Sequence, residues 1–213
     1  MNKRLVGLLS LALTIGVWGC TVTHRPPPVM VPPQIDLKER ETIGMIRFAT
    51  TSKGQLGPLA TRRFTEQARR DQGLVRIVDL GSRDEALRSV GRDRLDADAL
   101  IAIGHKAGVK TIVTGELTVS KVHPDVSIDS LLRSGSVTAQ VNATLDVQMY
   151  EADSGAALWN RSGRTTHSVG QVQLLGGKQF AFDATNPEDA YGGLVDDLVA
   201  QVSRPFQVSW VQP

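Results

Sequence analysis

Cys20 is the only cysteine in 213 residues, and it closes the chain's only long apolar run. A thiol can serve as nucleophile, metal ligand, disulfide partner or acceptor of a modification. With no second cysteine, an internal disulfide is excluded. The other reactive side chains do not assemble in sequence. His24, His105, His123 and His167 are widely scattered, and none has a second ligand at helical or hairpin spacing. His24 stands beside a proline cluster, and His105 falls near a predicted helix C-terminus, where a cation meets the favourable end of the dipole. Asp96-x-Asp98 and Asp196-Asp197 bring acids together, but capping and solvation account for both pairs. Gly176-Gly177-Lys178 lacks the upstream glycine and following hydroxyl of a phosphate loop and reads as a hairpin turn. No serine stands in a Gly-x-Ser-x-Gly elbow. The expectation is a protein that is not an enzyme, with no catalytic, cofactor or metal residue. A site assembled only by folding is the alternative left open.

The residues ahead of Cys20 explain its position. Lys3 and Arg4 precede a 13-residue apolar stretch, Leu5 to Val17. A bilayer-spanning helix needs about 20 residues, whereas a secretory leader needs fewer. Gly19-Cys20 at the end of such a leader resembles the lipobox of bacterial lipoprotein precursors, with Trp18 departing from the small or β-branched residue usual there. The resemblance implies cleavage before Cys20, a signal peptide over 1–19, and acylation of the Cys20 sulfur and new amino group. An ordinary signal peptide or an uncleaved anchor is the alternative. Thr21, rather than aspartate, follows the cysteine, which by the same resemblance implies the outer membrane, on its periplasmic side. Loss of Lys3 and Arg4 takes the basic residues from 24 to 22 against 22 acids. A near-neutral chain argues against a nucleic-acid partner, which calls for a concentrated basic footprint. Asn142-Ala143-Thr144 and Asn160-Arg161-Ser162 match glycosylation sequons, which a bacterial lipoprotein does not use.

Residues 20–40 read as a tether. Five prolines, in Pro26-Pro27-Pro28 and Pro32-Pro33, favour extended polyproline II. At about 3.1 Å per residue, some 20 residues reach up to roughly 60 Å; a structureless leader with no spacing role is equally compatible. The remaining chain, 41–213, suits one domain.

Its elements follow from periodicity. Thr42 to Ala49 reads as a buried strand, and Leu56, Ala60, Phe64 and Ala68 mark one stripe of a helix closed by Gly73. Leu74 to Leu80 alternates as a strand. Ser82 and Glu85 form a capping-box pattern, and Asp96 or Asp98 caps the next helix, which Gly108 ends. Val109 to Val119 reads as a strand, with Gly115 marking a bulge or close backbone approach. Val137, Ala139, Val141, Ala143, Leu145, Val147 and Met149 are apolar at every second position, so one strand face meets a core and the other meets water. Asp153-Ser154-Gly155 turns the chain, and Ala156 to Arg161 returns. Asn186 and Pro187 open a last helix with Tyr191, Leu194, Val195, Leu198 and Val202 on its buried stripe. Phe206, Val208 and Trp210 alternate as a final strand. The fold class is α+β, an α/β sandwich: a mixed sheet with a long antiparallel hairpin and helices packed on it.

The Gly108-to-Gly115 segment, the long alternating strand, the Asp153-Ser154-Gly155 turn and Leu158-Trp159 together resemble a known fold. It is shared by curli secretion channel lipoproteins, lipoprotein activators of peptidoglycan synthases and the TolB N-terminal domain; a flagellar outer-membrane lipoprotein group is also similar. The resemblance spans about residues 41–210 and implies a non-catalytic accessory of an envelope machine, held to the outer membrane by lipid on Cys20, with envelope protein partners. The alternative is an oligomeric curli-type export channel subunit. In those channels two insertions form membrane hairpins, and they correspond here to 120–136 and 164–185. The first departs from that pattern, with Pro124, Asp125, Asp129 and Arg133 in it and a helical Ser130-Leu131-Leu132. In the second, Val172, Leu174, Phe180 and Phe182 flank Gly176-Gly177, and a hairpin packed on the domain or a neighbouring copy is preferred. A homo-oligomeric ring without a barrel stays open.

Overall fold

The computed structural model describes residues 26–51, 55–120, 123–125, 138–169 and 187–212. Cys20, His24, Asn186 and the Gly176-Gly177-Lys178 turn lie outside them. Val29–Val31 (β1) pairs with Ser209–Val211 (β9) as a separate two-stranded ribbon.

The main body, Pro32–Ser209, is built on one mixed sheet. Its strands are β2 (Thr42–Met45), β3 (Ala49–Thr50), β4 (Arg76–Asp79), β5 (Thr111–Val119), β6 (His123–Asp125), β7 (Thr138–Glu151) and β8 (Ala157–Val169). β4, β2 and β5 run parallel, and β7 and β8 continue antiparallel, so β4 and β8 are the two edges. The helices are α1 (Leu56–Arg69), α2 (Arg83–Ser89), α3 (Ala97–Ala107) and α4 (Pro187–Ser203). The α+β class, with helices packed on a mixed sheet, is what the periodicity predicts.

Strand pleating divides the core. Met45, Val113, Leu117, Leu145, Val147 and Met149 meet α1 and α4 on one face. Ile46 and Ile112 meet Leu100 and Ile103 of α3 and Ala86 of α2 on the other. Because α2 and α3 cover only the β4–β2–β5 end, the second face of β7 stays wet, and Asn142, Asp146 and Gln148 are exposed there. Phe48, Phe64, Phe206 and Trp159 form a chain of ring contacts at 5.4, 5.7 and 5.0 Å, the last two edge-on. Such pairs add roughly 0.5–1.5 kcal/mol each beyond their buried area.

The local signals account for the element ends. Ser82 Oγ accepts from the Glu85 amide while Glu85 accepts from the Ser82 amide, completing the capping box. Asp96, not Asp98, caps α3 by accepting from the Ala99 amide at 3.0 Å. Gly108 ends α3 in the left-handed conformation that glycine adopts without a Cβ penalty. At Gly115 a Cβ would lie 2.9 Å from both the Asp146 carbonyl and the Phe48 ring, so the glycine marks a close approach.

Four expectations need correction. The Thr42 to Ala49 strand is two strands. Met45 stands opposite Val113 and Ala49 opposite Glu116, so one residue is extra on the first chain. At this bulge the Phe48 amide donates to Thr61 Oγ1 instead of to a strand. The Leu74 to Leu80 strand is confined to Arg76–Asp79, and Leu74 is 97% exposed. The return strand does not end near Arg161 but runs to Val169, so residues 164–169 continue the hairpin with β7. Phe206 is buried in a 3-10 turn, Arg204–Phe206, rather than in the last strand.

The packed chain also begins upstream of Glu41. The Ile35 amide donates to the Pro205 carbonyl, and Leu37 is buried with its amide donating to Gln72 Oε1. Gln72, itself 2% exposed, donates from Nε2 to the Ile35 and Phe206 carbonyls. One side chain thereby ties the entering chain to the end of α1 and to the turn after α4.

Candidate docking surfaces

The residues singled out by sequence do not converge. His105 is in the last turn of α3, His123 on β6 and His167 on β8. Asp96 is used as a cap, and Asp196 faces Arg63 at 3.5 Å, joining α4 to α1. Among the described residues no group of three His, Cys, Asp or Glu could hold a metal ion, and no helix is long and apolar enough to cross a membrane.

The most developed surface is a groove of about 350 Å³ between α1 and β4. The sequence places it there for simple reasons. Pro58, Thr61, Arg62, Thr65, Glu66 and Arg69 recur at helical spacing along α1, beside the apolar stripe that enters the core. On the sheet side, Met45 and Ile77 are register partners' neighbours that share the α1 face, and Arg47 follows on the same strand path. The floor is therefore apolar, and the rim carries Arg47, Arg62 and Arg69 against Glu66 and Asp79. The rim therefore holds three arginines and two acids, with Arg47 bound to Asp79 and Glu66 lying 3.8 Å from Arg63.

β4 borders this groove with an open backbone edge. The Leu80 amide donates to the Met45 carbonyl, so alternation turns the backbone groups of Ile77 and Asp79 away from β2. No described residue pairs with them.

A small ion-pair system closes one end. Arg47 donates to Asp79 Oδ2 from Nη2 at 3.0 Å and from Nε at 3.3 Å, and lies 3.8 Å from Glu85. The hydrogen bond and the charge of Asp79 raise the Arg47 pKa. Partial burial opposes ionisation of Asp79, but the Gly81 amide and Arg47 outweigh it and hold the carboxyl below its usual range. Glu85 is lowered mainly by its hydrogen bonds from Ser82.

The opposite edge is treated differently. α4 packs tightly on β8 at Gly163, where a Cβ would lie 3.0 Å from the Leu198 carbonyl. From this position Gln201 reaches over the edge. Its Oε1 accepts from the Arg164 amide and its Nε2 donates to the Arg164 carbonyl, both at 3.0 Å. The amide occupies Arg164 as a neighbouring strand would, which is one way to blunt an edge. Nothing in the primary sequence marks Gln201 for this role.

No family model matches the chain, and no curated protein matches it. Among solved structures it is similar to the PelC dodecamer from Paraburkholderia phytofirmans, with a TM-score of 0.39 and 14% identity over 84% of this chain and 96% of that one. It is also similar to lipoprotein GNA1162 from Neisseria meningitidis, with a TM-score of 0.37 and 12% identity over 60% of this chain and 83% of that one. A further similarity is to the LpoB C-terminal domain from Escherichia coli, with a TM-score of 0.34 and 14% identity over 60% and 84% of the two chains.

Proposed function

We propose that this chain is a non-catalytic accessory of a bacterial envelope machine, tethered to the periplasmic face of the outer membrane by lipid on Cys20. The machine is a peptidoglycan synthase, a secretion complex or a flagellar complex. The observation that carries the contact role is the groove between α1 and β4: an apolar floor, an arginine-rich rim and a strand edge with no partner among the described residues. The leader, the Gly19-Cys20 junction and the proline-rich stretch support the anchoring role. Processing would leave Cys20 as the mature N-terminus, and residues 20 onward would lead from the membrane to the body.

The export-channel reading would draw its membrane hairpins from 120–136 and 164–185. Of the second, Arg164 to Val169 pair with Ala139 to Thr144 as part of the body's own sheet, and the rest lies outside the described residues.

Mild crosslinking in intact bacteria, followed by affinity purification of the full chain, tests the accessory role. A reproducible envelope partner recovered with wild type, and lost from the membrane fraction with Cys20→Ser, is the expected result. A chain recovered alone would overturn it.

A further inference from the structure

We infer that the groove between α1 and β4 takes an extended, acidic and apolar segment of a partner protein, added to the sheet as a strand beside β4. The inference rests on the accessory role and gives that role its site and its ligand chemistry.

Three independent features meet at this place. First, the Ile77 and Asp79 backbone groups face outward from β4 with no described partner, which offers hydrogen bonds to any extended chain. Second, the adjoining groove is an open one of about 350 Å³, and Met45, Pro58 and Ile77 give it an apolar floor. A strand lying along β4 sends alternate side chains to the α1 face, so every second residue would enter that floor. Third, three arginines, Arg47, Arg62 and Arg69, stand around the rim against two acids, Glu66 and Asp79, so the groove is net positive and favours acidic residues on an incoming strand. Main-chain pairing supplies affinity, the floor selects apolar side chains, and the rim selects charge.

A second copy of this chain fits poorly. Its opposite edge, β8, carries Arg161 and Arg164 and already has Gln201 on the Arg164 backbone. Bringing β8 to β4 would set arginines against the arginine rim. The occupant is therefore a foreign segment in which valine or isoleucine alternates with glutamate or aspartate.

The test uses the full chain in detergent and three fluorescent peptides read by anisotropy. One alternates valine and isoleucine with glutamate; the second replaces glutamate by lysine; the third is the acidic peptide N-methylated at alternate amides. Saturable binding of the acidic peptide is expected, weakened at least about tenfold by charge reversal and by N-methylation, and weakened by added salt. The Arg62→Glu, Arg69→Glu double variant, with its fold checked by circular dichroism, should reverse the charge preference. The N-methylated peptide tests strand addition without altering the protein. Absence of binding, or equal binding of the lysine peptide, overturns the inference. Equal binding of the N-methylated peptide shows an apolar ligand site without strand addition and also overturns it. Acidic-peptide binding that is lost only because the chain self-associates assigns the groove to a second copy and overturns it. If the crosslinked envelope partner of wild type is retained by the double variant, the groove is refuted while the accessory role stands.

Discussion

Gln72 gives the sharpest test of how the entering chain is held. Its side chain is buried and makes three hydrogen bonds to backbone: it accepts from Leu37 N at 2.8 Å and donates to Ile35 O at 2.9 Å and Phe206 O at 2.6 Å. Leu37 and Phe206 are themselves buried, so water cannot readily replace the lost partner. A buried group left unpaired costs about 1–3 kcal/mol. Three such groups, with some relief from carbonyls that tolerate a single missing donor, put Gln72→Leu at roughly 3–5 kcal/mol. Leucine fills a similar volume, so the loss reports hydrogen bonding and not a cavity. Gln72→Ala should cost somewhat more, by the cavity it adds. For a chain of this size, 1 kcal/mol moves the melting temperature by about 2–4 °C, so a fall of about 10 °C is expected. Urea unfolding followed by circular dichroism measures the free energy, and hydrogen exchange at the Leu37 amide should accelerate in the variant. A Gln72→Leu chain within about 1 kcal/mol of wild type, with Leu37 still protected, would refute the claim that this side chain latches the entering segment.

Three further outcomes follow from particular contacts. Cys20→Ser should abolish metabolic incorporation of palmitate and release the chain from the membrane fraction; incorporation that persists would remove the lipid anchor from Cys20. Gly163→Val should destabilise by about 2 kcal/mol, because the new side chain meets the Leu198 carbonyl and Val202 where α4 crosses β8; urea midpoints check it, and Gly163→Ala should cost less. Asp79, Glu85 and Asp96 all have pKa values below the ordinary range in the folded chain. Their contribution is therefore present above the unfolded carboxylate range and is lost as the pH falls below about 4, through the folded values. The urea midpoint should fall along that limb, less steeply in Arg47→Ala, which removes the partner of Asp79 and Glu85.

The parts of the fold legible in sequence are those where one chain segment carries its own signal. β7 announces its buried face because Val141 to Met149 alternate against polar residues, and α2 and α3 announce their ends because Ser82, Glu85, Asp96 and Gly108 act within a few residues. Where the determinant is a partner, the signal is missing. The break between β2 and β3 exists only as a count against β5. β8 lacks apolar alternation because Arg161, Gly163, Thr165 and His167 occupy the face that β7 turns to the core, and at Gly163 the approach of α4 leaves no space for a larger side chain. Its length comes from backbone pairing with β7, not from its own side chains.

The groove was hidden for the same reason. Arg62, Glu66 and Arg69 follow the spacing of an ordinary solvated helix face, and they become a rim because β4 is the last described strand at this edge of the sheet. Their spacing beside the Leu56 to Ala68 stripe was the available clue, but it cannot report an absent neighbour. The two edges of the sheet then differ in a way that a single strand cannot explain. At β8 a glutamine imitates a partner and occupies the backbone of Arg164. At β4 the backbone of Ile77 and Asp79 has no partner among the described residues, beside an apolar floor and an arginine-rich rim. Exposed edges invite unwanted pairing and are normally blunted. On one sheet, an open edge opposite a defended one is therefore the edge to examine for a partner strand.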